Sequence, residues 1–303
     1  MKIRIGTRGS QLALWQANEV ARLLPCESEI VTIKTTGDKR TDVSLASIGG
    51  KGLFIKELEE ALERDAIDVA VHSLKDVPSI IPDQFELAAF LERADPRDAW
   101  VHPSGIAIDE MPAGAVIGTS APRRRAQLAA LYPRLRIEDI RGNVDTRIAK
   151  ARRGQYAGIV LAGAGLQRLG RANEITSYFS IDAMLPAAGQ GIIAIECLRG
   201  SNVREVVRAA NHAPSESAAL CERGVLQKFG ERLDCYSEVA VHCTVEDRQS
   251  CLSDEDTRGQ AGLPVLHVRA FFHGHRAEGR GHNAEAVIDA VYEELECQAR
   301  SIS

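Results

Sequence analysis

Between Arg123 and Arg153 the chain places ten basic residues, nine arginines and Lys150, against three acidic ones, Glu138, Asp139 and Asp145. That is an excess of +7 over 31 residues in a protein whose net charge is −5. A guanidinium is a planar fork of donors that grips a carboxylate or phosphate through two parallel hydrogen bonds. The segment therefore reads either as a receptor for a polyanion or as a solvated basic face. Its layout bears on the choice. Gly118-Thr119-Ser120-Ala121-Pro122-Arg123-Arg124-Arg125 runs from a strand through a hydroxyl-bearing turn into a helix start, and Arg141-Gly142-Asn143-Val144-Asp145-Thr146-Arg147 repeats the theme. Arginine at a helix N-terminus opposes the helix dipole, so a placement repeated twice favours a bound polyanion. Arg8, in the first turn after the first strand, is a further candidate. A metal does not suit this set, which offers donors and few ligands.

The segment His72-Ser73-Leu74-Lys75-Asp76-Val77-Pro78 follows a short apolar strand. In an open parallel sheet, ligands sit beyond the carboxyl ends of the strands. Ser73, Lys75 and Asp76 are then in reach of a substrate, with alternation placing Ser73 and Lys75 on one side. Asp76 either pairs with Lys75 or, in a cleft, stabilises a cation formed during reaction. Gly49-Gly50-Lys51-Gly52 precedes a helix and reads as a turn or an anion-holding loop, but it lacks the spacing and the Ser/Thr of a Walker A loop. Gly163 to Gly170 fails the dinucleotide fingerprint. The seven cysteines include no C-x-x-C pair, which argues against a zinc site. His273 and His275 read as structural or solvated.

These residues need a frame to hold them, and the first half of the chain alternates strand and helix signals. Ile3 to Ile5, Ile30 to Ile33, Asp68 to His72, Val116 to Gly118 and Gly158 to Leu161 read as strands. Helices follow Ser10, a natural N-cap, and span Ile55 to Arg64. Such alternation predicts α/β layers with mostly parallel strands. Prolines at 96, 103 and 112 mark a crossing between domains within 92–113, and Leu185 to Gly191 marks a second, before a buried strand at Ile192 to Ile195. After residue 212 a helix to Phe229, strands at Val239 to Val245 and Val265 to Phe272, and a helix over Ala284 to Gln298 predict a separate α+β domain. The 303 residues, 45% hydrophobic and 26% charged, fit two or three folded domains and exclude whole-chain disorder. The negative net charge does not favour nucleic acid, and no apolar run approaches the roughly 18 residues of a membrane helix. An N-terminus without an apolar signal core and an odd cysteine count predict a reducing cytoplasm.

Taken in order, several motifs resemble one family. Thr7 to Ala17 (TRGSQLALWQA), Gly49 to Glu59 (GGKGLFIKELE), Val71 to Pro78 (VHSLKDVP), Glu92 to Asp98 (ERADPRD), Arg141 to Arg147 (RGNVDTR) and Leu185 to Gly191 (LPAAGQG) resemble the porphobilinogen deaminase (hydroxymethylbilane synthase) family from residue 3 to about 245. The resemblance implies two α/β domains like those of periplasmic binding proteins, with a cleft between them and two hinge strands, plus a smaller α+β C-terminal domain. The boundaries expected are 1–91 with 192–209, then 97–185, then 214–303. It implies a cytoplasmic, monomeric transferase of heme and tetrapyrrole biosynthesis. Four porphobilinogens are joined head to tail on a dipyrromethane cofactor held by a cysteine thioether. Four ammonias leave, and hydrolysis releases the product. Neither nucleic acid nor membrane is an expected partner.

By the same resemblance Asp76 stabilises the azafulvene cation left when ammonia departs, and Arg8, Arg141 and Arg147 bind substrate and chain. Ser73, Lys75, Asp76, Thr119, Ser120, Arg123, Arg124, Arg147 and Gln190 hold the cofactor. Ser10, Asn143, Arg168 and Gln190 take further substrate-binding positions, while Lys51 and Phe54 belong to a flexible loop over the site. Each pyrrole carries an acetate and a propionate, so the arginine cluster suits a growing polycarboxylate. The match of Val239-Ala240-Val241-His242 aligns Cys235 with the attachment residue. Around it the chain departs from the family: Leu233-Asp234 replaces Gly-Gly, and Tyr236-Ser237-Glu238 replaces x-Val-Pro. A charged Asp234 would raise the thiol pKa, and Cys243, eight residues on, is the rival attachment site. Ala121 replaces a frequent hydroxyl residue. Two other readings compete: a catalytically silent relative that binds polycarboxylates, and a periplasmic-type solute receptor, which the missing signal core disfavours.

Overall fold

The structure is a computed structural model that describes residues 2–34, 55–230, 238–246 and 264–300. Up to Phe90 the chain lays down β1 (Lys2–Arg8), α1 (Gln11–Leu23), β2 (Glu27–Ile33), α2 (Lys56–Glu63), β3 (Val69–Ser73) and β4 (Phe85–Phe90). It then crosses into β5 (Asp98–Val101), β6 (Val116–Gly118), α3 (Pro122–Leu131), β7 (Arg136–Glu138), α4 (Val144–Arg152), β8 (Gly158–Ala162), α5 (Gly163–Arg168) and β9 (Ser177–Tyr178). It crosses back into β10 (Ile193–Leu198) and α6 (Val203–Val207), then continues through α7 (Ala213–Phe229), β11 (Val239–Glu246), β12 (Val265–Phe272), β13 (His275–Gly281) and α8 (Ala284–Arg300).

Two five-stranded sheets result, ordered β2-β1-β3-β10-β4 and β7-β6-β8-β5-β9. Four strands of each run the same way, as the alternating pattern predicts. The fifth, β10 or β5, is antiparallel to both neighbours. The register explains the reversal. Ile193 opens β10 opposite Ser73, the last residue of β3, and Asp98 opens β5 opposite Ala162, the last residue of β8. Each crossing thus enters its new sheet at the carboxyl ends of the parallel strands and must run back through it. Both crossings and the substrate-facing strand ends therefore meet in one cleft between two lobes. Of the three prolines at 96, 103 and 112, only Pro96 lies in the crossing, because β5 has already begun at Asp98.

Local chemistry fixes the helices that border this cleft. Ser10 Oγ accepts from the Ala13 amide at 3.3 Å and starts α1, which buries Gln16, Ala17 and Val20. Pro122 opens α3, where its fixed φ suits the first helical position. Asn143 caps α4 by accepting from the Thr146 amide at 2.9 Å. In the second lobe Trp100 is wholly buried against β8, and a side chain at Gly158 would collide with its ring, so only glycine fits there.

The third domain is an antiparallel sheet, β11-β12-β13, covered by α7 and α8. Phe229 packs against Phe272 and Tyr292 with ring centroids 4.5 and 5.1 Å apart. One buried carboxylate ties this domain to both crossings. Glu222 pairs with Arg93 at 2.6 Å and accepts the Gly189 and Cys243 amides at 2.6 and 2.7 Å. Burial would raise its pKa, but Arg93 and His242 overcome that and hold it at about 2.

Candidate active site

Strand β3 ends at Ser73, and Leu74–Asp76 close into a single 3₁₀ turn with Leu74 buried. The strand alternation expected to continue to Lys75 stops here. The turn carries Asp76 to a cavity that it lines together with Arg8, Ser10, Gln16, His72 and Ser73. Lys75 reaches instead towards Gln190, with Nζ 3.5 Å from Oε1. Ser73 Oγ accepts from Gln16 Nε2 at 2.7 Å, so Gln16 is a wall residue that the motifs did not single out. His72 stands behind it, 2.8 Å from Glu196 across the sheet, both buried.

Facing the Lys75 turn is a buried knot of four side chains. Arg123 spreads its two terminal nitrogens over both Asp98 oxygens at 2.7 and 3.1 Å, and also reaches the Leu185 carbonyl and Gln190 Oε1 at 2.8 and 3.1 Å. Arg124 donates to Asp98 Oδ1 at 2.7 Å and to the Val160 carbonyl at 3.2 Å. Gln190 Nε2 donates to the same Asp98 oxygen at 2.8 Å and to the Pro96 carbonyl at 2.7 Å. The anion that two arginines at the start of α3 called for is thus partly internal. Asp98 supplies it from the end of the ERADPRD motif, and sequence reasoning did not rank it as a site residue. Burial works against the ionised form of Asp98, and the two guanidiniums outweigh it and hold its carboxyl below the ordinary range.

The remaining cations stand around this knot, and in Lys75, Arg147 and Arg168 desolvation outweighs the acids near them. Lys75 is open to cleft water yet deep between the lobes. Loss of bulk solvation, helped by Arg124 and Arg123 and opposed by Asp76 and Asp98, pulls its ammonium down to about 8. Arg147 donates Nε to the Gly142 carbonyl at 2.7 Å; desolvation and the neighbouring Arg124 and Arg141 lower it to about 10, against the pull of Asp76. Arg168 bonds the Gly191 carbonyl at 2.6 Å, lies 5.6 Å from the Trp15 ring centroid and is likewise lowered by desolvation to about 10. Arg141 is half-buried, 3.7 Å from Asp139. Thr119 is wholly buried, with Ser120 half-buried beside it.

The structure therefore brings Asp76, Arg8, Ser10 and Ser73 to one wall, and Lys75, Arg123, Arg124, Arg147 and Gln190 to a shared field. Asn143 Oδ1 serves as a helix cap, accepting from the Thr146 amide and hydroxyl. Ser10 Oγ is similarly engaged as a cap. Lys51, Phe54 and Cys235 lie outside the described residues. Cys243, the rival attachment residue, is 2% exposed in the third-domain core. A hydrogen bond with Cys221, together with burial, pushes its thiol far above the ordinary range. A substituent there would have to displace the packed core.

Does this donor set fit a dipyrromethane with its acetates and propionates? Three cations are depressed by desolvation, and Arg124 Nε is buried without a hydrogen-bond partner. Carboxylates placed here would restore the lost charge stabilisation and satisfy that donor. The residues fit.

Comparison with known proteins agrees. Residues 3–205 match the family model described as porphobilinogen deaminase, dipyromethane cofactor binding domain. The porphobilinogen deaminase of Geobacter sulfurreducens is 49% identical over 247 residues, covering 80% of this chain and 77% of its own. That of Acidithiobacillus ferrooxidans is 44% identical over 278 residues, covering 88% and 89%, and that of Desulfitobacterium hafniense is 48% identical over 256 residues, covering 82% of each. Among solved structures, immunogenic lipoprotein A from Vibrio vulnificus is similar at 11% identity and a TM-score of 0.43, over 73% of this chain and 99% of that one. The chain belongs to the porphobilinogen deaminase family.

Proposed function

We propose that this chain is a hydroxymethylbilane synthase. It condenses four porphobilinogens head to tail, releases one ammonia with each, and frees the linear tetrapyrrole by hydrolysis. The observation that carries this reading is Asp76, a carboxylate that lines a cavity with Arg8 in a cleft where Lys75 and Arg147 stand desolvated, while the other acid, Asp98, is buried and taken up by Arg123, Arg124 and Gln190. A site built only to retain polycarboxylates has no use for a carboxylate at its centre. A site that must stabilise a transient cation on an otherwise polyanionic substrate needs one.

The division of labour follows from the chemistry of the side chains. Lys75, Arg123, Arg124, Arg147 and Gln190, with Ser73, Thr119 and Ser120, hold the carboxylates of a dipyrromethane attached at Cys235. When bound, that group supplies the pyrrole end to which each new ring is joined. Arg8, Arg141 and Arg168 receive the acetate and propionate of the incoming porphobilinogen. Asp76 faces the aminomethyl carbon as ammonia leaves and stabilises the positive charge that develops there. It is also placed to take the proton lost once the new carbon–carbon bond has formed. The chain acts as a cytoplasmic monomer on this small-molecule substrate, divided into 1–91 with 192–209, 97–185 and 214–303. The order of the two sheets and the two crossings supports that division.

The test is the denatured intact mass followed by peptide mapping, before and after porphobilinogen. The expected result is a surplus of two pyrrole units on the Cys235 peptide, extended one pyrrole at a time by substrate. A chain that remains unmodified after incubation overturns the reading and leaves a polycarboxylate-binding relative.

A further inference from the structure

We propose that Asp98 is the positioning residue of the anion-binding half of the site: by holding Arg123, Arg124 and Gln190 from one carboxylate, it sets which donor edge is left for the substrate-derived carboxylates. This rests on the reading of the cleft given above and assigns a role to a residue within it.

Asp98 is wholly buried and takes four hydrogen bonds from three side chains. Those side chains come from separate parts of the chain. Arg123 and Arg124 stand on the first turn of α3, Gln190 on the returning crossing, and Asp98 itself opens β5 where the outgoing crossing ends. A carboxylate at this junction fixes the two guanidiniums relative to the two crossings at once. The same Gln190 faces Lys75 of the other lobe at 3.5 Å, so the knot also reaches across the cleft.

The remaining donor edges give the arrangement its specificity. Both terminal nitrogens of Arg123 are spent on protein acceptors. Arg124 spends its own terminal nitrogens on Asp98 and Val160 and keeps Nε buried without a partner. Rotating Arg124 would exchange these edges, and Asp98 prevents that rotation. One carboxylate against two guanidiniums also leaves the knot with a net positive charge, to which Lys75 adds. A buried pair serving stability alone would be neutral and would use every donor. Residues that orient binding groups in this way set rate more than affinity, because a small displacement spoils the alignment of the reacting atoms.

The experiment compares wild-type holoenzyme with Asp98→Asn and Asp98→Glu, measuring cooperative melting, kcat and KM for porphobilinogen, and the pH dependence of kcat. In folded Asp98→Asn, kcat is expected to fall at least tenfold while KM changes less than threefold. Lys75 faces Asp76, Asp98, Arg123 and Arg124, so loss of the Asp98 charge should also move the alkaline limb to lower pH. Asp98→Glu restores the charge but not the geometry. It should return the limb towards wild type without recovering kcat. A folded Asp98→Asn variant with kcat within threefold of wild type overturns the proposal, as does full rescue by glutamate. If Asp98→Asn does not fold, Asp98→Glu carries the test alone: with the charge kept and the geometry displaced, kcat should fall at least fivefold, and turnover within threefold of wild type overturns the proposal. A wild-type chain with no turnover overturns the functional reading first and this one with it. An active wild type beside an unaffected variant overturns this one alone.

Discussion

The two lobes share a strand order yet carry opposite chemistry at matching places. After β1 comes α1, capped by Ser10 and with no charged residue in its first turn; after β6, the matching strand, comes α3, with no capping side chain and Arg123 and Arg124 in its first turn. After β3 the first lobe turns once and presents Asp76. After β8, its counterpart, the second lobe runs into α5 and presents Arg168. At β3 and β8, then, the common frame delivers a carboxylate from the first lobe and a guanidinium from the second, while Arg8 and Lys75 add cations to the first lobe and Asp98 is an internal acid of the second. The frame determines where a side chain arrives, and the first turn after each strand determines what it can do.

The sharpest way to break that contrast is to remove Asp76, the acid that lines the cavity. Asp76→Asn keeps the shape of the turn and deletes the charge, so the fold should remain while kcat falls by roughly 10²- to 10³-fold, the range for loss of one preorganised electrostatic partner. Circular dichroism and turnover on the same sample check this. Near-normal turnover would mean that the first lobe is not the electrophile-stabilising side.

Removing a cation from the second lobe should act differently. Arg147→Leu deletes a desolvated guanidinium whose neighbours are mainly other cations. The loss of a charge-assisted carboxylate contact is worth about 1.5–3 kcal/mol, hence roughly 10- to 100-fold, and it should appear in KM and in the ability to retain elongating chains. Denaturing mass spectra of the intermediates read this directly. A loss confined to kcat, with KM untouched, would make Arg147 an orienting group like Asp98 rather than a carboxylate-binding one.

Lys75 tests the contrast through pH. With its ammonium lowered to about 8 by desolvation, it carries charge below that pH and loses it above. Carboxylate binding should weaken severalfold as pH rises through about 8, and Lys75→Met should abolish that step. The stability sign is opposite. The folded state bears the cost of a desolvated ammonium below about 8, and that cost fades as pH rises from there to the ordinary lysine value of 10.5, so this group makes stability rise over that window. Bound carboxylates favour the charged form and should shift both effects upward. Melting curves and binding isotherms across that window check both signs.

Much of the frame was legible because buried strands carry near-continuous apolar runs: β3, β6, β8 and β10 announced themselves this way, and β1 did so by Ile3 and Ile5 alternating with Lys2 and Arg4. β13 did not. Its sequence, HRAEGRG, buries only Ala277 fully and is held by its backbone ladder to β12. β5 was hidden because four residues between Arg97 and His102 sit in a stretch punctuated by prolines. The site shows the same limit. Asp76 and the arginines stand out by type and motif, but Asp98 acquires its role only from partners 25 and 92 positions away. The path of Lys75 depends on a turn where the strand pattern would have continued. Spacing along the chain carries local geometry well and long-range partnership poorly.

The same arginine-rich segment has an outer face, which supplies the smallest expected effect. Arg136 pairs with Glu138 and Arg152 with Glu174, each at 2.7 Å, with the arginine side chains 68% and 60% exposed. Charges this accessible are solvated with or without their partner, and exposed pairs contribute about 0–1 kcal/mol. Arg136→Ala and Arg152→Ala should therefore leave kcat and KM within about twofold and stability within about 0.5 kcal/mol. Both remove the same formal charge as Arg147→Leu. If they weakened porphobilinogen binding as strongly, long-range attraction by the whole basic segment would explain the affinity. If they do not, affinity comes from the few guanidiniums that the cleft has stripped of water.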